Sequence, residues 1–211
     1  MTQHPQHSRL LELPVVAVFD FDGTLTHRDS FLPFLRFLLG PSRFDGGLLL
    51  MSPVLIGYAL KLIANWQAKE ALLKFFLGGK SQKQLNQIGE QFAVQQIPKL
   101  LRPEGIQRLQ WHQNQGHLTI LVSASLEIYL FPWTKKMSFN QVIGTRLETD
   151  SGVVTGRILG KNCYGSEKVE RLKAILGNLN QYCIYAYGDS RGDRQLLDIA
   201  NYPYYRTFET I

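Results

Sequence analysis

The sequence predicts an α/β protein with a doubly wound parallel sheet and a helical segment inserted into it, and three observations carry that expectation. Three short apolar runs each end on polar residues, helical apolar spacing separates them, and one long stretch after the first run has helical spacing with no strong strand. A chain of 211 residues, 45% of them hydrophobic, is long enough to bury such a core together with a small satellite domain.

Val15 to Phe19 is a continuous, mostly β-branched apolar run that stops at Asp20, the pattern of a strand buried on both faces. Leu118 to Val122 repeats it and stops at Ser123. Cys183 to Tyr187 repeats it again before Gly188-Asp189. Helical spacing covers Glu104 to Gln115, Leu126 to Lys136, Glu167 to Leu176 and Arg194 to Ala200, so strands and helices alternate. Gln141 to Arg157 reads as a small β-hairpin embellishing the core, with Asp150-Ser151-Gly152 as its turn.

The stretch from Phe31 to Pro98 reads as an inserted helical cap interrupted at Gly40-Pro41, Gly46-Gly47, Pro53 and Gly78-Gly79. The expected organisation is therefore a core of residues 14–30 and 99–211, a cap of 31–98, and a mobile tail of 1–13. Leu48 to Leu60 is almost entirely apolar but shorter than the ~20 residues of a spanning helix. The expectation is a buried pair of cap helices, with a segment lying in a membrane interface as the alternative.

The formal charge of +6 favours anionic partners. No dense Lys/Arg block with interleaved aromatics occurs, so nucleic acid is not expected. Cys163 and Cys183 have no CxxC or metal-ligand spacing and read as reduced thiols. The polar tail with His4 and His7 has no apolar targeting region, which gives a cytoplasmic expectation, extended to the inner membrane face if the apolar segment is interfacial.

In open parallel sheets, ligands bind beyond the carboxyl ends of the strands. Asp20, Ser123 and Asp189 all fall there. Asp20-Phe21-Asp22-Gly23-Thr24 puts two carboxylates two residues apart where glycine permits a sharp turn. A carboxylate can attack phosphorus, and a second can protonate the leaving alcohol and then take a proton from water. Asp189 and Asp193 add two more, and if all four meet, each close pair repels by about 4 kcal/mol at an effective dielectric near 20. A hard divalent cation, Mg²⁺ above all, relieves that repulsion. Lys168, opening a helix after Gly165-Ser166, can neutralise more of the charge, while the Ser123 hydroxyl can hold phosphoryl oxygens.

Four segments in this order resemble the haloacid dehalogenase superfamily of aspartate-nucleophile phosphatases: Asp20-Phe21-Asp22-Gly23-Thr24-Leu25-Thr26, the strand ending in Ser123, Gly165-Ser166-Glu167-Lys168-Val169, and Gly188-Asp189-Ser190 with Asp193. The resemblance implies Asp20 as nucleophile, Asp22 as general acid/base, and Ser123 and Lys168 as the phosphate-positioning pair, with Gly23, Thr24 and Ala124 in the phosphate-binding loops. It implies Mg²⁺ held by Asp20, the backbone carbonyl of Asp22 and Asp189, with Asp193 as a direct or water-mediated partner. The insertion is similar to the helical cap of the subfamily that includes phosphoserine phosphatase, and Asp29 lies where those enzymes carry a substrate-reading Glu. A helix cap is the other reading of Asp29. Two positions, Gly192 and Ala124, depart from the phosphoserine phosphatase pattern of Asn and Gly.

The expected function is hydrolysis of a small phosphorylated metabolite. Phosphoserine is one alternative substrate, and a lipid phosphate reached at the membrane surface is another, since some relatives act on phosphatidylglycerophosphate. A phosphate-binding regulator without turnover is the alternative from a different class. Neither the substrate nor the oligomeric state is legible in the sequence.

Overall fold

The structure, a computed structural model, describes residues 13–208. The tail bearing His4 and His7 lies outside them.

Strand β1 (Val15–Phe19) leads into a turn over Phe21–Leu25. Five helices follow: α1 (Phe31–Leu39), α2 (Pro41–Leu50), α3 (Ser52–Ala59), α4 (Asn65–Leu77) and α5 (Gln82–Gln95). Then come α6 (Pro103–Asn114), β2 (Leu118–Leu126), α7 (Glu127–Lys136), β3 (Gln141–Thr145), β4 (Leu147–Asp150) and β5 (Val153–Ile158). The chain continues through α8 (Ser166–Leu176), β6 (Cys183–Gly188), α9 (Arg194–Asp198) and β7 (Tyr202–Tyr205).

The main sheet has the order β3-β2-β1-β6-β7, and every neighbouring pair is parallel. β1 is central, with Val18 opposite both Ile120 and Ala186. Side chains alternate across a strand, and here the alternation sorts β1 into two cores. Ala17 and Phe19 join the larger one with Leu109, Tyr129 and Trp133. Val16 and Val18 join the other, with Leu172 from α8 and Leu196 from α9. A strand covered on both faces has no position for a polar side chain until it ends, which is why β1 reads as an unbroken apolar run.

Two edge strands depart from the sequence reading. Gln141–Thr145 is not the first arm of a hairpin; it pairs in parallel with β2 as the sheet edge, and the antiparallel hairpin is only β4 with β5. That hairpin packs on α4 rather than on the sheet face, with Gly79 N donating to Val154 O at 2.8 Å. β7 was not anticipated, because its Pro203 argues against a central strand but is tolerated at an edge.

The inserted helices also differ in two respects. Gly46-Gly47 does not interrupt α2, which runs through both residues, and Gly47 abuts the ring of Phe76 where a Cβ would lie 2.3 Å from a ring carbon. The apolar segment is not wholly buried: Leu49, Leu50, Ile56 and Leu60 project outward, while Phe44, Gly47 and Met51 face inward. No helix among the described residues is long and apolar enough to cross a membrane.

Candidate active site

β1 ends at the middle of the sheet, flanked by β2 and β6, where connections leave in opposite directions and open a crevice. Asp20 is the next residue, its backbone fixed by donation from its N–H to Tyr187 O at 2.9 Å. Its carboxylate is buried. Lys168, also buried and in the first turn of α8, donates from Nζ to Asp20 Oδ1 and to Asp193 Oδ1, each at 2.6 Å. The other oxygen of Asp193 accepts from Ser190 Oγ at 2.7 Å and Ser190 N at 3.0 Å, so both oxygens of that carboxylate have donors.

These contacts set the charge states. Burial disfavours the Lys168 ammonium, but Asp20 and Asp193 outweigh it and hold its pKa above the ordinary lysine value. Burial also works against the Asp193 carboxylate, and there the Lys168 ammonium prevails and keeps its pKa low. Asp20 lacks the serine donors of Asp193, and burial pushes it up to about 8 despite Lys168.

Asp20, Asp189 and Asp193 each present an oxygen within 4.8 Å of the others. Asp189 Oδ1 is buried with no hydrogen-bond partner among the described residues, an arrangement that ordinarily costs free energy. Gly23, at φ +79°, passes so close that a Cβ there would lie 2.2 Å from Asp189 Oδ2. An all-carboxylate donor set with one orphaned oxygen fits a hard divalent cation.

The expected meeting of all four carboxylates does not occur. The Asp22 side chain turns the other way, accepting from Ser30 N at 2.8 Å on Oδ1 and from the Ser125 hydroxyl on Oδ2. Burial, and secondarily the nearby Asp29 carboxylate, raise its pKa to about 7.

A cavity of about 540 Å³ opens over these groups, lined by Asp20, Asp22, Gly23, Asp29, Ser123, Ala124, Lys168 and Asp189. Thr24 and Asp193 are buried outside that lining, and Thr24 Oγ1 has no hydrogen-bond partner among the described residues. Ser123 Oγ accepts from Ser125 N at 3.1 Å. Asp29 Oδ1 accepts from Phe31 N at 2.8 Å, so this side chain both caps the start of α1 and borders the cavity. At Gly192 the Tyr164 ring lies 2.3 Å from where a Cβ would be, so an asparagine there requires that ring to move.

Sequence reasoning missed several lining groups. Lys69 on α4 donates to Ala124 O and, at 3.2 Å, to Asn162 Oδ1, and burial lowers its pKa to about 8. Asn162 is itself tied to Thr145 Oγ1 at 2.9 Å and Asn65 Oδ1 at 3.3 Å. The available signal was helical: Lys69 sits among the buried Ala68, Leu72 and Leu73, and a lysine on an apolar stripe needs a partner. Ser125 was legible by period two, lying two residues beyond Ser123.

The haloacid dehalogenase-like hydrolase family model matches residues 17–198. Protein CicA of Caulobacter vibrioides is 36% identical over 196 residues, covering 92% of this chain and 87% of the relative. A histidinol-phosphatase of Neisseria meningitidis serogroup C is 27% identical over 201 residues, covering 89% and 88%. A crystal structure of a protein of unknown function from Bordetella pertussis Tohama I superposes with a TM-score of 0.77 at 26% identity, covering 88% of this chain and 86% of that one. The chain belongs to the haloacid dehalogenase-like hydrolases. It is a phosphatase of that family.

Proposed function

We propose that the protein is a Mg²⁺-dependent phosphomonoesterase that works through an aspartyl-phosphate on Asp20, with a small phosphorylated metabolite as substrate. The observation that carries this reading is the floor of the cavity, where Lys168 bridges Asp20 and Asp193 beside the orphaned oxygen of Asp189. Asp20, the backbone carbonyl of Asp22, Asp189 and Asp193 would hold the cation, which would supply positive charge against the phosphoryl oxygens.

Asp20 attacks phosphorus in line as the ester oxygen departs, and Asp22 gives that oxygen a proton. Asp22 then takes a proton from the water that hydrolyses the acyl phosphate. A pKa near 7 suits a group that must hold and release one proton per cycle. Lys168 and the Ser123 hydroxyl steady the phosphoryl group, with Gly23, Thr24 and Ala124 shaping the loops around it. Residues 31–98 act as the cap that limits access and excludes water, and Asn65 and Lys69 from it line the cavity together with Asp29. The decisive assay is a panel of amino-acid, amino-alcohol, sugar and nucleotide phosphates with Mg²⁺, using Asp20→Asn as the blank. Turnover of one ester that vanishes in the variant supports the reading, whereas substantial activity in Asp20→Asn sinks it.

A second reading, a lipid phosphate taken from a membrane surface, is favoured by one observation. Leu49 (75% exposed), Leu50 (71%), Leu60 (65%), Leu62 (79%) and Trp66 (52%) project from the inserted segment whose Leu55 and Tyr58 line the cavity. Residues 46 to 69 contain no acidic side chain, and Lys61 is exposed among the leucines, a combination suited to an anionic bilayer. Flotation with phosphatidylglycerol vesicles at low salt is the check, and failure to float leaves the soluble-metabolite reading alone.

A further inference from the structure

Two arginines that the reaction outlined above does not use hold the two loops of the candidate cation site. Gly23 lies against the Asp189 carboxylate, and each of these residues gives its backbone carbonyl to a guanidinium. Arg206 Nε donates to Asp189 O at 2.8 Å, and Arg102 Nη1 donates to Gly23 O at 3.1 Å. Arg102 stands at the entry to α6, and Arg206 follows β7, beyond the residues 17–198 that the family model matches.

Each arginine is itself held in place. Glu104 Oε1 accepts from Arg102 Nε at 3.1 Å and Nη2 at 2.9 Å, which leaves Nη1 for Gly23. Arg206 is fixed through its backbone. Its φ is +58°, a conformation uncommon outside glycine, and its N–H donates to Gly188 O at 2.9 Å. A residue persists in such a conformation when its surroundings determine it.

The Arg206 contact continues into the site. In a trans peptide the N–H points opposite to the C=O, and the amide whose oxygen meets Arg206 donates from Ser190 N to Asp193 Oδ2 at 3.0 Å. Asp193 Oδ1 accepts from Lys168, which also donates to Asp20. Every donor on this path is a nitrogen and every acceptor a carbonyl or carboxylate oxygen, so its direction is fixed. An amide bonded on both sides cannot rotate without losing one of those bonds, and the Asp189 backbone is held with it.

We propose that Arg206 and Arg102 are positioning residues of the cation site, which keep the Asp189 and Gly23 loops where the carboxylates of Asp20, Asp189 and Asp193 converge on one ion. The inference rests on the reading that these carboxylates hold Mg²⁺. Charge and position act here with opposite signs. A guanidinium near a cation site repels the ion, so on charge alone its removal tightens Mg²⁺ binding. If it orders the loop, its removal weakens binding.

Calorimetric titration of Mg²⁺ into the metal-free, substrate-free protein measures that sign directly. Arg206→Met has no donor and is expected to raise the Mg²⁺ Kd by roughly 10-fold or more, the scale found for groups that orient metal ligands. Arg102→Met should act in the same direction. Arg206→Gln can place an amide N–H where Nε stood without the charge, and should recover most of the affinity. Thermal unfolding in EDTA shows how far each variant's fold is weakened. A lower Tm with an unchanged Kd in both Met variants would make the arginines merely structural and overturn the proposal. Tighter binding in Arg206→Met, or equal weakening in Arg206→Met and Arg206→Gln, would also overturn it. Asp189→Asn, run alongside, separates the two layers. If it abolishes binding while the arginine variants bind like wild type, the arginine role fails and the cation reading stands; if the wild type takes up no Mg²⁺, or Asp189→Asn binds as well as wild type, both fail.

Discussion

The ammonium of Lys168 donates to Oδ1 of Asp20 at 2.6 Å, and the same nitrogen reaches Asp193 at 2.6 Å. One cation therefore bridges two buried acidic side chains beneath the cavity. Removing the lysine strands both, and breaking a buried pair from one side costs roughly 3–5 kcal/mol. Lys168→Met is expected to lower the urea midpoint by a loss of that order and to abolish turnover. Adding Asp193→Asn to Lys168→Met should recover part of the stability and none of the activity. Equilibrium unfolding of the two variants and the double variant checks the coupling.

Gly23 is held to glycine by Asp189. A methyl group at Gly23 would sit 2.2 Å from Asp189 Oδ2, and φ +79° is strained for any side chain. Gly23→Ala must displace Asp189, so it is expected to raise the Mg²⁺ concentration for half-maximal activity by roughly 10- to 100-fold, the scale seen when groups around a metal ligand are disturbed. A Mg²⁺ titration of initial rates measures this directly.

Removing the metal should silence the enzyme, and EDTA followed by excess Mg²⁺ should restore it. Binding to the folded state alone also raises stability, by about 2.7 kcal/mol at a hundredfold excess over Kd. Mg²⁺ is therefore expected to raise the Tm of the wild type and to have little effect on Asp189→Asn, whose amide cannot offer the charge that Asp189 Oδ1 now holds without a partner. Differential scanning fluorimetry with and without Mg²⁺ gives the comparison.

The parts of this architecture that were legible in the sequence share one physical property: their side chains are constrained on every side. β1, β2 and β6 are covered on both faces, so their runs are largely apolar, and their polar ends mark the crevice. β3 and β7 are edges, where Gln141, Gly144 and Pro203 are tolerated, and local pattern did not distinguish them from loop or hairpin. The same contrast holds in the site. Asp20, Lys168 and Asp193 were legible by order along the chain, and they meet as a buried triad. Lys69 was not, because it reaches across an interface between inserted helices and core that only the tertiary fold creates. The outward turn of Leu49 and Leu50 was misjudged for a related reason: apolar composition predicts burial only when something is available to pack against.

Lys69 is the charged group of the inserted segment that reaches the core side of the cavity, through Ala124 O and Asn162. Burial lowers its pKa to about 8, so at pH 7 it is mostly cationic. Lys69→Met keeps the stem and removes the charge. It is expected to raise KM for the preferred ester by about tenfold or more, the worth of one charge-assisted hydrogen bond, with a smaller change in kcat. Steady-state kinetics on the substrate found by the panel would contradict this if KM were unchanged.

His112 provides a pH dependence remote from the carboxylates of the candidate site. It is fully buried on α6, with Nε2 2.9 Å from Tyr187 Oη and Nδ1 2.8 Å from His117 Nδ1. Burial, then the positive Arg108 and His117, hold its pKa down to about 3. In the unfolded chain an imidazole titrates near 6.5, so below that pH the unfolded state binds a proton that the folded state refuses. The stabilisation is complete above about pH 6.5 and is lost progressively as pH falls toward about 3, at no more than about 1.4 kcal/mol per pH unit for this one group. His112→Gln should be less stable at neutral pH, because a buried ring and its hydrogen bonds are replaced, yet its stability should decline less steeply between about pH 6 and pH 4. Urea unfolding across that range, fitted for the difference in bound protons, should show the variant releasing close to one proton fewer than wild type on folding. An identical slope in both proteins would mean that His112 titrates alike in the folded and unfolded chains.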